Sequence, residues 1–181
     1  MNLRSVKDLN FEVEESLYEK LDGCSTLAEV FELVKQSVKK FLNRHRRGLM
    51  LGLADLGMKR GYFVGAFHLV GSNIIVMNRV PLETALRDTD RKIFNAYCFH
   101  LLLHEYLHSL GYIDEREVRE LTQEVCRLAL GSTHPATVMA EQGIDFYFPK
   151  VTYFTKQFSL PRDIQIELVK DFDSSSAEYI H

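Results

Sequence analysis

Hydrophobic residues recur at intervals of three and four positions along three parts of the chain, which is the spacing of an amphipathic helix. This pattern predicts helices over residues 26–44, about 90–110 and 115–130. The second segment is apolar on almost every side, as expected of a helix buried at the centre of a domain. Gly111 directly follows it, where helices commonly end. We therefore expect three long helices, the middle one in the core.

Short apolar segments separated by glycines lie between the first two predicted helices. They cover residues 48–56, 61–70 and 72–78 and are rich in residues that favour strands, so they predict a sheet. The pattern weakens towards the C-terminus. Residues 146–160 are aromatic and expected to be extended, whereas residues 162–172 fit either a strand or a short helix.

Length and composition place the chain among globular proteins. It has 181 residues, 46% hydrophobic and 26% charged, which favours one α+β domain over residues 1–181, with its core in about 26–140 and a polar tail, prone to fraying, at about 172–181. A net charge of −3 gives no field that would attract nucleic acid or an anionic membrane. Without a signal peptide or an apolar run of about 18 residues, a cytoplasmic protein is expected. Three cysteines without CxxC spacing are expected to be reduced: Cys24, Cys98 and Cys126.

The segment His-Glu-Tyr-Leu-His places ionisable side chains inside the most apolar predicted helix. His104 and His108 are four residues apart, so their rings leave the helix within about 40° of each other and can bind one metal ion. Glu105 is offset by about 100°, where its carboxylate can reach a water on the ion without competing as a ligand. The segment therefore predicts one Zn²⁺ per chain, with Glu105 as a general base for amide hydrolysis. A purely structural cluster is less favoured, because buried imidazoles and a carboxylate each need a partner.

A third ligand is expected to come from beyond the helix. Gly111 can turn the chain back so that Asp114 reaches the ion. Asp114 and Glu117 also have the N-cap and N3 spacing of the third helix, which explains an aspartate at this position without a metal. Asp114 is the favoured candidate, and the alternatives are Glu120, Glu124 and His134.

The eleven residues from 104 to 114 resemble a known pattern. They fit HExxHxxGxx(H/D), which is typical of the metzincin clan of zinc metallopeptidases, in the variant with aspartate as the third ligand. The resemblance implies a metzincin-like zincin domain, with a twisted mixed sheet, a backing helix and a buried active-site helix. It implies hydrolysis of peptide bonds in a peptide or protein substrate. The implied roles are zinc ligands for His104, His108 and Asp114, general base for Glu105 and turn for Gly111.

Two further segments resemble the layout of that clan. Residues 72–78 occupy the place of the edge strand that pairs with an extended substrate. Met139 occupies the place of the methionine in the Met-turn, beneath the metal. Glu141 stands where some members have a tyrosine, so no hydrogen-bond donor for the transition state is carried over.

A bacterial ribonuclease family that matures ribosomal RNA uses similar spacing, H-G-x-L-H-x-x-G-Y-D-H. This chain departs from it with Glu105 in place of glycine and Asp114 in place of histidine, and a base at position 105 favours peptide hydrolysis. The matching positions are His104, Leu107, His108, Gly111 and Tyr112.

The remaining features of the sequence do not favour nucleic acid as a partner. Five basic residues near the end of the first helix offer phosphate contacts, but cations there also complement the helix dipole. They are Lys39, Lys40, Arg44, Arg46 and Arg47. A third hypothesis is a zinc protein that binds a partner without catalysis, and Glu105 argues against it.

Overall fold

The computed structural model of the protein describes residues 16–57, 62–148, 152–153 and 163–173. The helices within these ranges are α1 (Leu17–Gly23), α2 (Leu27–Leu42), α3 (Arg79–Asp88), α4 (Arg91–Ser109), α5 (Glu115–Leu130) and α6 (Pro135–Gln142). The strands are β1 (Met50–Ala54), β2 (Tyr62–Phe63), β3 (Ala66–His68), β4 (Ile74–Asn78), β5 (Thr152–Tyr153) and β6 (Glu167–Leu168). A 3-10 helix covers Ile144–Phe146.

Four of these strands form a mixed sheet in the order β3-β4-β1-β6. β1 and β4 run parallel, with Met50 opposite Ile74, whereas β3 is antiparallel to β4 and β6 is antiparallel to β1. β2 and β5 form a separate parallel pair. The fold is therefore α+β with a mixed sheet, as predicted.

The strand at the edge of the sheet differs from the prediction. Residues 72–78 are predicted to lie at the edge, but β4 lies between β3 and β1, so this prediction is wrong. Among the strands in the described part of the chain, β3 and β6 are the terminal ones of this sheet. The physical reason is visible in β4 itself. Ile75, Val76 and Met77 are all fully buried, and a continuous apolar run is typical of an interior strand that is covered on both faces.

The three long helices predicted from the periodicity are confirmed as α2, α4 and α5. Thr26 and Glu29 form a complete capping box at the start of α2, and the Asp90 side chain accepts a hydrogen bond from the Ile93 amide at the start of α4. α2 ends at Leu42, two residues earlier than expected. The chain leaves α2 through Asn43, which adopts a left-handed conformation with φ 51°.

α4 lies at the centre of the molecule. It contacts α1, α2, α3, α5, α6, β3 and β4. Its side chains are buried around the whole circumference, as predicted from the apolar sequence, and among the largest that are fully covered are Tyr97, Phe99, Leu102, Leu103, Tyr106 and Leu107. Charged and imidazole groups on this helix are therefore held by a rigid surrounding core.

The described part of the C-terminal segment is attached to α2. The Phe172 ring stacks on Phe31 with centroids 4.3 Å apart, and buried Asp173 accepts hydrogen bonds from the Lys35 ammonium and, at 3.0 Å, from the Leu49 amide. The rest of the predicted polar tail lies outside the described residues. Cys24, Cys98 and Cys126 are buried free thiols. None of the described helices combines the length and apolar character that crossing a bilayer requires.

Candidate metal centre

The end of α4 and the start of α5 form a tight turn that brings their side chains together. The Gly111 amide donates to the His108 carbonyl at 3.0 Å, and the Tyr112 amide donates to the Leu107 carbonyl at 3.4 Å. Gly111 has φ +99°, a conformation that strains any residue with a Cβ. This glycine therefore reverses the chain within four residues, and α5 begins at Glu115 beside the last turn of α4.

Two imidazoles and one carboxylate converge at this turn. His108 Nε2 lies 3.2 Å from His104 Nε2 and 3.0 Å from Glu115 Oε1, and His104 Nε2 lies 3.4 Å from Glu115 Oε2. One ligand atom from each of the three residues lies within 4.8 Å of the others. This spacing allows all three atoms to contact a single cation.

The electrostatics of the three groups agree with this geometry. Hydrogen bonding to His104, followed by the charges of His104 and His108, lowers the pKa of the Glu115 carboxyl to about 2 against an opposing effect of partial burial. Glu115 is therefore a carboxylate over the whole physiological range. It offers the negative charge that a divalent ion needs.

The tautomer of His108 is fixed by a backbone group. Its Nδ1 lies 2.8 Å from the Tyr112 carbonyl oxygen, and because a carbonyl only accepts, Nδ1 carries the proton. Nε2 is then the ring nitrogen that faces His104 and Glu115. A second nitrogen that donates to a carbonyl is the usual arrangement of a metal-binding histidine. The donor set of two imidazoles and a carboxylate fits Zn²⁺, and also suits iron, cobalt or nickel.

Asp114, the third ligand favoured from the sequence, does not join this group. Its side chain accepts a hydrogen bond from the Glu117 amide at 2.9 Å and caps α5. The N-cap geometry turns this short carboxylate onto its own helix. Glu115, the next residue, supplies the carboxylate that meets the two histidines. Glu115 is not among the candidate ligands predicted from the sequence. The signal that points to it is the capping spacing of Asp114 and Glu117, because a capping Asp114 leaves the carboxylate of the next residue available to the histidines.

The alternative ligands also lie elsewhere among the described residues. Glu120 is exposed and pairs with Arg116 at 3.0 Å, and Glu124 is exposed on α5. His134 is buried, caps α6 and contacts Asp22 at 3.3 Å. Met139 lies inside α6 rather than in a turn, and its side chain is buried in the core.

Glu105 lies beside the cluster in a cleft of about 430 Å³ that His108 and Glu115 also line. It is only 7% exposed. Burial is the main reason why its pKa rises to about 8; the charge of Glu115 acts in the same direction, and a hydrogen bond from the His68 backbone opposes both. The carboxyl group thus shares this cleft with two of the three converging residues, His108 and Glu115.

His68 on β3 is a further residue of the cleft that the sequence did not single out. Side chains alternate along a strand, so His68 shares a face with buried Ala66, and β3 contacts α4. Its Nδ1 lies 3.0 Å from the Ile74 carbonyl oxygen and therefore carries the proton. Burial lowers the pKa of His68, as do the charges of Arg46 and His108. The ring is therefore a neutral group with its Nε2 free of that carbonyl contact.

Arg46 links the two sides of the cleft by hydrogen bonds. Its guanidinium donates to the Ser109 carbonyl at 2.6 Å, at the end of α4, and to the Ser72 carbonyl at 2.7 Å, in the turn between β3 and β4. The Arg46 backbone amide also donates a hydrogen bond to the Tyr106 hydroxyl at 2.8 Å.

Within the predicted basic cluster, Lys39 and Lys40 lie in the last turn of α2, where they complement the helix dipole.

Comparison with known proteins identifies no relative of the chain. No protein-family model matches the chain, and neither the curated proteins nor the solved structures contain a match to it. The basis for a function is therefore the cluster of His104, His108 and Glu115, with Glu105 beside it.

Proposed function

We propose that the protein is a metal-dependent peptidase of metzincin-like zincin type, with one Zn²⁺ per chain held by His104, His108 and Glu115. The observation that supports this most is the convergence of three ligand atoms within 4.8 Å, since two of the three residues, His108 and Glu115, line the same cleft as the buried Glu105. A buried carboxylate next to a group of metal ligands is the arrangement that hydrolysis of an amide needs.

The role proposed for Glu105 follows from its position and its pKa. When bound, the cation supplies Lewis-acid activation of water and of the substrate carbonyl. Glu105 takes the proton of the attacking water and returns it to the leaving amine nitrogen. Its burial raises the affinity of the carboxylate for a proton, which suits a base that must both accept and return one near neutral pH.

β3 gives the proposed substrate a place to bind. The Asn78 amide donates to the Gly65 carbonyl, and the Leu69 amide donates to the Ile74 carbonyl, so the odd-numbered residues of this strand face β4. The backbone groups of Ala66 and His68 consequently point away from β4. The His68 amide on that side already donates to Glu105, so a paired peptide would use the backbone groups of Ala66 and the His68 carbonyl. An extended peptide can pair with such an edge, and this edge lines the cleft beside the cluster.

The two alternatives receive less support. Arg46 is the basic residue of the predicted cluster that lines the cleft, and its guanidinium is already engaged with two backbone carbonyls, so it leaves little for an RNA phosphate. A zinc protein without catalytic activity would not need a carboxylate buried beside the ligands, at the cost that burial imposes on its charge.

Peptidase activity is tested with zinc-loaded protein and a mixture of internally quenched fluorescent peptides. We expect the wild type to cleave, and Glu105→Gln to keep its zinc while losing at least about a hundredfold in rate, because general base catalysis contributes roughly 10²–10⁴. Glu124→Gln, an exposed glutamate outside the cleft, is the matched control and should cleave at the wild-type rate. Equal rates for the wild type and Glu105→Gln, each with one zinc, would show that the proposed mechanism is wrong.

A further inference from the structure

Exposed hydrophobic side chains stand on two separate segments at the mouth of the cleft. Val70, in the turn between β3 and β4, is 83% exposed, and Ile113, in the turn between α4 and α5, is 79% exposed. These are the two most exposed large hydrophobic residues in the described part of the chain, and both line the cleft. Scattered apolar residues on a surface are ordinary. Two of them at one cleft, beside the cluster of metal ligands, indicate a binding surface.

Neither segment carries a charged side chain. The first, which we call the hairpin rim, consists of Leu69, Val70 and Gly71, and Leu69 is itself 47% exposed. The second, which we call the helix-turn rim, consists of Gly111, Tyr112 and Ile113. Glycines with positive φ at both rims produce tight turns, which leave the neighbouring valine and isoleucine projecting into solvent.

The charged groups of the cleft are already paired with other groups of the protein. Arg46 donates to two backbone carbonyls, Glu115 contacts both histidines, and Glu105 accepts a hydrogen bond from the His68 backbone. A charged side chain placed between the rims would therefore lose water without gaining a counterion. An apolar side chain there would instead cover Val70 and Ile113 and remove their surface from water.

The location of the rims determines which ligand they suit. The hairpin rim directly follows β3, whose edge can accept an extended backbone, and the helix-turn rim is separated from Glu115 by the single residue Asp114. A peptide paired with β3 thus passes between the rims as it approaches the ligand cluster. Its side chains project from the strand at regular intervals, and one of them can enter the space between Val70 and Ile113.

We propose that the two rims bind a bulky apolar side chain, such as leucine or phenylalanine, of an extended peptide that lies along β3. This selectivity would define the substrates of the proposed peptidase. Only the cleavage that follows binding rests on the proposed function. Recognition of the peptide requires the two rims and the strand edge, and does not require turnover.

Binding to a protein that cannot cleave separates these two questions. The protein is zinc-loaded Glu105→Gln, and the probes are fluorescein-labelled octapeptides that are identical except for leucine, phenylalanine, aspartate or lysine at one central position. Fluorescence anisotropy gives the dissociation constants. We expect the leucine and phenylalanine peptides to bind at least about tenfold more tightly than the other two.

Substitutions at the rims then test the assignment. Val70→Asp and Ile113→Asp, each in the Glu105→Gln background, should weaken binding of the leucine peptide about tenfold or more. Leu128→Asp changes a residue that is 54% exposed on α5 and does not line the cleft, so it should leave the affinity unchanged. Both rim residues are exposed, and the zinc content of each variant shows that the cluster is intact.

Several outcomes would overturn the inference: equal affinity for the four peptides, no measurable binding, or the same loss in Leu128→Asp as in the rim variants. The peptidase proposal fails by a different result. If zinc-loaded wild type binds the leucine peptide with this selectivity but leaves it intact, the peptidase proposal is wrong and the rims retain their role. If the wild type cleaves all four peptides with equal efficiency, the peptidase proposal stands and the role assigned to the rims is wrong.

Discussion

Replacing Glu115 by glutamine should separate metal binding from helix capping at the start of α5. Glutamine keeps the size of the side chain but removes the negative charge that faces His104 and His108 at 3.4 and 3.0 Å. Asp114→Ala removes the neighbouring carboxylate, which binds the Glu117 amide at 2.9 Å. Each of the two adjacent substitutions should therefore lower a different quantity: Glu115→Gln the zinc affinity, and Asp114→Ala the free energy of unfolding.

The magnitudes follow from what each side chain contacts. Glu115 supplies one of the three ligand atoms, and since loss of an outer-shell partner already lowers metal affinity 10- to 100-fold, loss of a ligand should lower zinc affinity by roughly a hundredfold or more, about 2.7 kcal/mol. Asp114→Ala should leave zinc affinity within about threefold and lower the free energy of unfolding by about 1 kcal/mol, the usual value of an N-cap. Asp114→Asn, which retains a good cap, should be close to neutral in both respects.

Zinc affinity is measured by competition with a chromophoric chelator, and stability by urea denaturation of the metal-free protein. His108→Ala serves as the reference for complete loss of a ligand. If Asp114→Ala loses zinc while Glu115→Gln retains it, the third ligand is Asp114 and the assignment of Glu115 is wrong. If both variants retain zinc at wild-type affinity, the cluster of His104, His108 and Glu115 is not the metal centre.

Two further predictions concern the cleft and its turn. In the metal-free protein the folded-state pKa of Glu105 is about 8, above its ordinary value of 4.5. Between these two pH values the folded state binds one proton more than the unfolded state. The stability that this proton provides is complete below about pH 4.5 and is lost as the pH rises through 8. The free energy of unfolding, measured by urea denaturation between pH 5 and 8, should therefore decline by a few kcal/mol in the wild type relative to Glu105→Gln, and Glu124→Gln should follow the wild type. Parallel curves for all three proteins would show that burial does not raise the pKa of Glu105. Gly111→Ala places a Cβ on a residue with φ +99° and should cost about 1–2 kcal/mol in stability and weaken zinc binding, because this turn positions Glu115, whereas Gly23→Ala, with no positive φ and open space around it, should do neither.

The sequence predicted the elements whose apolar pattern is long and strong. α5 has the predicted bounds, and α2 and α4 differ from them by one or two residues. The short helices α1, α3 and α6 were missed. α3 follows β4 without a connecting loop and carries Pro81 in its first turn, a residue that reads as a break although it is tolerated there.

The candidate site was only partly predictable, for a reason of distance along the chain. His104, Glu105 and His108 lie on one helix, so the helical repeat fixes their relative directions. His68 and Arg46 reach the cleft through the sheet and through the loop before it, and pairing between strands distant in sequence cannot be read from local periodicity. The interior position of β4 likewise depends on β3 and β1 pairing with its two edges.

The distinction between the two carboxylates at the start of α5 has a thermodynamic basis. To serve as a ligand, Asp114 would have to release the Glu117 amide and give up the capping contribution, about 1 kcal/mol. The Glu115 carboxylate contacts the imidazoles of His104 and His108 at 3.4 and 3.0 Å, and the cap is made by Asp114 instead. A cation held by these same three groups would leave the cap of α5 in place. A ligand set that ends at Glu115 is therefore compatible with the helix that presents it, whereas one that ends at Asp114 competes with the formation of that helix.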